Sequence, residues 1–228
     1  MFNKFTTAGI SHPVQGSALF NGTSDYVTMG DVLNQGTGNA TYSFWVNVDY
    51  DTTGPCVLGK SNGGALVAGY GFLAGVFVNG NVYYFTADTT GNGNGFYTAH
   101  AGVNEWQYVS IVVDKSQTNP SIYVNGSSGT IIRTGSTNLN QISNVTNALD
   151  LVIGAESDLS NNFPGNLANV AIWNRALSSD EINSVMFKSV NALTSAESNG
   201  LQAWYSLDDI SGTSVPDSSG NGNNGTAN

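Results

Sequence analysis

The side chains that could do chemistry are few and far apart in this sequence. Its four glutamates are Glu105, Glu156, Glu181 and Glu197, and its two histidines are His12 and His100. Cleaving a glycosidic bond needs two carboxyl groups flanking it, and nucleophilic catalysis needs a base in reach of a hydroxyl or thiol. The single cysteine, Cys56, has no histidine near it in the sequence, and Glu181 is accounted for by helix capping. An enzyme is not expected. Two other chemistries are better supplied. Calcium takes several oxygen ligands from carboxylates, Asn side chains and backbone carbonyls. The best such sets are Asp25, closing Asn21-Gly-Thr-Ser-Asp25, and Asp217, Asn221 and Asn223 in Asp217-Ser-Ser-Gly-Asn-Gly-Asn223. These residue types also build Asx and positive-φ turns, so each is a turn former first and a cation ligand second. Sugar rings stack on exposed aromatics while Asn and Asp satisfy their hydroxyls. Phe96 and Tyr97 end the run Gly91-Asn-Gly-Asn-Gly95 and are the expected ligand-contacting pair, carried on a mobile loop. Tyr83 and Tyr84 also lie beside a turn, whereas Trp45, Trp106, Trp173 and Trp204 sit inside strand patterns and read as core.

The elements that must position these groups are almost all strands. Thr41 to Val48 alternates Tyr42, Phe44, Val46 and Val48 against Thr41, Ser43, Trp45 and Asn47. Gly75 to Phe85 reads as a hairpin turning at Asn79-Gly80, and Ser121 to Val124 runs into a second such turn at Asn125-Gly126. Trp106–Val113, Leu149–Ile153, Leu167–Trp173 and Leu201–Leu207 complete the strand set. Ser178-Ser-Asp-Glu181 is a capping box followed by Ile182, Val185 and Met186 at helical spacing, which predicts one short helix near 179–187. Segments 50–66, 86–104 and 127–148 are rich in Gly, Asn and Thr and read as loops. The expectation is an all-β, two-sheet antiparallel jelly-roll sandwich with one short helix. It would comprise an N-terminal arm over 1–17 and a single domain over 18–228, closed by residues 201–207 pairing into the sandwich that contains 18–27.

Composition narrows the partners. Charged residues are 10% of the 228, and 16 acidic against 6 basic side chains give a net charge of −10. Such a surface repels phosphate backbones, so no nucleic acid is expected. One cysteine makes no internal disulfide, and no zinc-ligand spacing occurs. No apolar run is long enough for a membrane helix, and Met1 to Ile10 lacks the apolar stretch of a secretory leader.

Several ordered motifs resemble one family. Ala18-Leu-Phe-Asn-Gly-Thr-Ser-Asp-Tyr-Val27 is similar to an early Ala-Leu-x-Phe-Asp-Gly-x-x-Asp-Tyr-Val signature. Tyr42-Ser-Phe-Trp-Val46, Trp106-Gln-Tyr-Val-Ser-Ile-Val-Val113 with Ile122-Tyr-Val-Asn-Gly126, and Ile153-Gly-Ala155 resemble its central strands. Phe163 to Ile182 resembles its closing strand and helix. Together they resemble the laminin-G-like or pentraxin-like (concanavalin A-like) jelly rolls over about residues 17–228. Related glucanases carry a Glu-x-Asp-x-(x)-Glu strand motif, and none of the four glutamates lies in one. Asn21 stands where the family often has Asp, and Leu167-Ala168-Asn169 where Ile-Asp-Glu or Ile-Asp-Asp is usual. Calcium is therefore a candidate cofactor rather than an expected one. The resemblance, the low charge and the missing leader imply a non-enzymatic virion surface protein, of decoration or fibre type in a tailed phage. Its partners would be capsid or other virion proteins, further copies of itself, or surface glycans. The alternative is a calcium-dependent carbohydrate-binding module of a secreted or cell-surface bacterial protein.

Overall fold

In a computed structural model, residues 16–48, 54–61, 71–77, 80–98, 102 and 104–228 are described. The expected arm, apart from Gly16 and Ser17, lies outside them, as do His12, Asn79 and His100. The strands run β1 (Ala18–Asn21), β2 (Val27–Thr28), β3 (Ala40–Val48), β4 (Cys56–Lys60), β5 (Gly71–Val76) and β6 (Val82–Ala87). They continue as β7 (Gly93–Thr98), β8 (Gln107–Val113), β9 (Ser121–Val124), β10 (Ser127–Ser128), β11 (Ile131–Arg133), β12 (Val152–Ile153) and β13 (Pro164–Trp173). Helices α1 (Ser179–Val185) and α2 (Ser195–Ser198) precede β14 (Leu201–Tyr205), β15 (Ser214–Val215) and β16 (Gly225–Ala227).

These form the expected jelly-roll sandwich of two antiparallel sheets. Among the described residues, one sheet has seven strands in the order β1-β13-β3-β8-β9-β10, with β14 also on β13. The other has nine, ordered β11-β7-β6-β5-β4-β12-β2-β16-β15. The alternation read from β3 holds: Tyr42, Phe44, Val46 and Val48 face the core, where they meet Phe72, Ala74, Val76, Val82 and Tyr84 of the nine-stranded sheet. Tyr42 and Phe72 stack across this layer at 4.5 Å.

Trp45 points the other way. With Tyr108, Trp173 and Trp204 it is covered by Leu177, Ile182, Val185 and Met186, so α1 seals the outer face of the seven-stranded sheet. The buried indole N–H groups find acceptors, Trp45 on the Met186 carbonyl (3.1 Å) and Trp173 on that of Glu197 (2.8 Å). The predicted capping box is present: Glu181 N donates to Ser178 Oγ, and Ser178 N to Glu181 Oε2. A second box, Thr194 with Glu197, starts the unpredicted four-residue α2.

The C-terminal segment enters both sheets. β14 pairs with β13 through Val170↔Tyr205 and Ile172↔Ala203, while β1 pairs with the same strand further along, Ala18↔Leu167. β16 then pairs with β2 in the opposite sheet, and Asn228 N donates to Tyr26 O at 2.9 Å.

The loop assignments need correction. Cys56–Lys60 is a wholly buried strand, Gly93–Thr98 is a strand between β6 and β11, and 127–148 contains β10, β11 and a 3-10 turn at Leu139–Gln141. The Asn125-Gly126 turn is as expected, with φ of 51° and 78°.

Candidate functional site

The strand over Gly93–Thr98 decides where the expected ligand-contacting aromatics go. In β7 neighbouring side chains leave opposite faces. Phe96 pairs with Tyr84 and both are fully buried in the core, so Phe96 is corrected from a loop residue to a core residue. Tyr97 pairs with Tyr83 on the outer face of the nine-stranded sheet and is half-buried. Tyr83 and Tyr84, adjacent in sequence, divide in the same way.

On that outer face Tyr83, Leu73 and Cys56 pack with the half-buried Phe77, Phe85 and Tyr97. Ring centroids lie 4.5 Å apart for Phe77 and Tyr83 and 5.0 Å for Tyr83 and Phe85, with interplanar angles of 35° and 34°. The rings can incline along the sheet because glycines lie beneath them. A Cβ on Gly75 would meet Tyr83 Oη at 2.5 Å, and one on Gly95 would meet Phe85 Cε1 at 1.9 Å. Gly75 is the cross-strand partner of Tyr83, and Gly95 that of Phe85. The Tyr83 hydroxyl is tied down by the carbonyls of Gly54 (3.2 Å) and Pro55 (3.1 Å). Burial, with Cys56 and Glu156 nearby, pushes this phenol well above its usual range. Ile132, 45% exposed, pairs with Tyr97 and borders the same face. The result is an aromatic cluster on the outer face of the sheet, with Phe77, Phe85 and Tyr97 half-buried and Tyr83 buried among them. Phe77 and Phe85 had escaped the sequence reading, although Tyr83 and Phe85 stand two apart in one strand, which places them on one face.

The oxygen-rich sets are occupied otherwise. Asp217 is buried; its Oδ1 accepts from the backbone N–H of Trp204 and Ser219, and its Oδ2 from Asn223 N–H, each at 3.0 Å. The amide groups of Asn221 and Asn223 donate to the Gln202 carbonyl at 3.1 and 3.0 Å, and Asn221 also to Leu201 O. The loop is thus clamped onto β14, and Tyr205 Oη donates to Asn223 O at 2.6 Å. Asp25 accepts from the backbone N–H and side-chain amide of Asn21, within a turn where Asn21 Oδ1 accepts from the N–H groups of Thr23, Ser24 and Asp25. Every carboxylate oxygen of Asp25 and Asp217 already accepts an N–H, and the two residues sit in separate loops. Asp25 and the Asp217 loop therefore do not form one ligand set, and in each the carboxylate serves as a turn former. Among the described residues, no three His, Cys, Asp or Glu side chains come together where they could hold a metal ion.

Asp88 plays a similar part. Burial would raise its pKa, but bonds from Ser143 and Thr90 hold it well below the usual carboxylate range. The glutamates are spread over the molecule. Glu181 caps α1 and pairs with Arg175 at 2.7 Å, Glu197 caps α2 and pairs with Lys188 at 2.5 Å, Glu156 accepts from Asn161, and Glu105 from Gln107.

Solved structures share this sandwich. A Bacteroides ovatus protein assigned to carbohydrate binding is similar over 93% of this chain at 19% identity and a TM-score of 0.69. This chain spans 57% of that protein's length. The heptameric SAP-like pentraxin of Limulus polyphemus matches over 77% of this chain and 82% of its own, at 16% identity and a TM-score of 0.55. The CBM40 of the Ruminococcus gnavus IT-sialidase, solved with α2,3-sialyllactose, matches over 75% of this chain and 97% of its own, at 14% identity and a TM-score of 0.54. Among curated proteins no sequence match is found. A family model of the concanavalin A-like lectin/glucanase superfamily, of laminin-G type, matches residues 21–183, from the end of β1 into α1, and the chain belongs to that family.

Proposed function

We propose that this protein is a non-enzymatic carbohydrate-binding domain whose ligand lies on the outer face of the nine-stranded sheet. The observation that carries the proposal is the outer-face aromatic cluster, in which the half-buried Phe77, Phe85 and Tyr97 pack with the buried ring of Tyr83, and Phe85 inclines over Gly95. A pyranose presents an apolar C–H face and a rim of hydroxyls, and it gains most from an aromatic plane that needs no rearrangement on binding. Rings tied to strands meet this need, since little side-chain entropy remains to be lost. Half-buried Tyr97 adds a phenol to the same cluster. The non-enzymatic reading rests on the dispersed glutamates, each already engaged in a cap, an ion pair or a loop bond.

Carbohydrate binding in the B. ovatus protein and in the CBM40 supports the same reading. Of the two settings expected from the sequence, the aromatic face favours the carbohydrate-binding module over a virion decoration protein, because docking to a shell makes no demand for inclined rings on glycine. A calcium requirement forms no part of the proposal. The test is binding of the purified protein to a panel of immobilised oligosaccharides, repeated with Phe85→Ala. Binding by the native protein that Phe85→Ala weakens about five- to thirtyfold, in a variant that still unfolds cooperatively, is the expected outcome. Absence of binding across the panel, or full retention in the variant, would remove the face from consideration.

A further inference from the structure

We infer that the aromatic face selects neutral glycans and discriminates against sugars bearing carboxylate, sulfate or phosphate groups. The inference rests on the carbohydrate reading above and goes further, to the class of sugar. Its basis is where the positive charges are. The sequence has six lysines and arginines, of which Lys4 lies outside the described residues. Each of the other five is committed elsewhere. Lys60 pairs in register with core-facing Phe72, and its buried ammonium is held by Asp31 at 2.6 Å and the Leu149 carbonyl at 2.5 Å. Lys115 donates to Ile142 O at 2.8 Å. Arg175 and Lys188 lie beside α1, on the opposite sheet, in ion pairs with Glu181 and Glu197.

Arg133 comes nearest, since it is on β11, two strands from β6. It pairs with Phe96 rather than Tyr97, which sends its stem to the other side of the sheet from Ile132, and its guanidinium donates to Asn138 Oδ1. Among the described residues, then, no cation stands on the aromatic face.

The charges that do bear on this face are negative. Glu156 acts on both Tyr83 and Cys56, and Asp158 acts on Cys56. The chain as a whole carries −10. Acidic sugars are normally held by arginine forks or lysines, whose paired hydrogen bonds offset the loss of hydration of the anion. Here an anion would lose that hydration beside carboxylates with nothing to offset it. A neutral sugar carries no charge for these carboxylates to repel.

Matched pairs of probes test this. Lactose is compared with α2,3-sialyllactose, and linear xylo-, manno-, cello- and chito-hexaoses are compared with hexagalacturonate and a heparin hexasaccharide, each titrated at low and high salt. The expected result is binding to at least one neutral probe with no salt dependence, and binding to the anionic probes weaker by about fivefold or more at low salt, as repulsion between near charges implies. Equal or tighter binding of an anionic probe would overturn the inference while leaving the carbohydrate reading intact. No binding to any probe would overturn both. Ile132→Arg places a guanidinium at the border of the face, at a position exposed enough to accept it, and is expected to raise the affinity for anionic probes. If Ile132→Arg folds normally and leaves the neutral-to-anionic ratio unchanged, selection does not occur on this face and the assignment fails.

Discussion

A single methyl group at Gly95 should disable the binding face without removing any of its rings. A Cβ there would lie 1.9 Å from Cε1 and 2.3 Å from Cδ1 of Phe85, and 2.8 Å from Thr134 Oγ1. Carbon atoms pack at about 3.5–4 Å, so the ring has to withdraw by roughly 1.5 Å or swing to another rotamer. The backbone at Gly95 is outside the left-handed region, which leaves the clash as the reason for any effect. Overpacking of this kind costs about 1–3 kcal/mol, and the low end applies because Phe85 is only half-buried and can turn outward. A ring turned outward no longer packs beside Phe77 and Tyr83. Loss of one central contact is worth about 1–2 kcal/mol, which is a five- to thirtyfold weaker dissociation constant. Gly95→Ala and Phe85→Ala should therefore weaken glycan binding alike, although one adds atoms and the other deletes them. Gly38→Ala is the control, because the nearest atom to its Cβ would be Gln35 O at 3.5 Å. The assay is calorimetric titration with the best neutral oligosaccharide, paired with thermal unfolding of each variant. If Gly95→Ala melts within a few degrees of the native protein and binds equally well, the inclined ring is not part of the site.

Three further outcomes follow from named contacts. Glu197, whose side chain is 7% exposed, accepts from Lys188 (2.5 Å), Ser184 (2.6 Å) and Thr194 N–H (2.7 Å). Burial alone would raise its pKa, yet these bonds hold it at about 2 against an ordinary 4.5. A depressed carboxylate stabilises the fold above its unfolded value and loses that contribution as pH falls through the folded one, so about 3 kcal/mol should disappear between pH 4.5 and 2. Denaturant titrations across that window should show a smaller drop for Glu197→Gln than for the native protein, and equal slopes would refute the assignment. Asp217→Ala strands three N–H groups, among them that of buried Trp204, and should cost about 3 kcal/mol, or a fall in Tm of about 6–12 °C. Glycan affinity of the folded fraction should be unchanged, since the loop lies against β14 in the other sheet. Finally, millimolar calcium or a chelator should leave Tm where it is, whereas a rise of several degrees with calcium would show that the Asp25 or Asp217 loop opens to take the ion.

Much of the sandwich was legible because successive side chains of a long strand face opposite layers, so core-facing residues alternate with those covered by α1. β3, β8 and β13 show this, and so does β14, whose Ala203 and Tyr205 face the core while Trp204 faces α1. The failures share one cause. Gly and Asn argue against a strand on propensity, so Gly91 to Tyr97 reads as a loop. In the fold Asn94 donates to the Gly135 and Thr137 carbonyls and Gly95 lies beneath Phe85, so packing across strands overrides the local preference. β4 was hidden for a related reason. Its Lys60 is buried, which a sequence pattern treats as surface, and only the partners Asp31 and Leu149, 29 and 89 residues away, make that burial tolerable.

The acidic loops and the aromatic face belong to one economy of charge. A chain with only 10% charged residues and long runs of Gly, Asn and Ser has little besides hydrogen bonds to hold its turns. Asp25, Asp88 and Asp217 supply them, each gathering backbone N–H groups from its own loop or a neighbouring one. Carboxylates spent in this way resemble cation ligands in sequence, because both roles need Asp and Asn at turn spacing. The distinction lies in what faces the oxygens, which a sequence does not display. The cations are likewise consumed in ion pairs and carbonyl bonds that seal α1, α2 and the end of β4. Among the described residues, the aromatic cluster on the outer face of the nine-stranded sheet carries no lysine or arginine, and such a face suits a ligand that is itself uncharged and carries an apolar face.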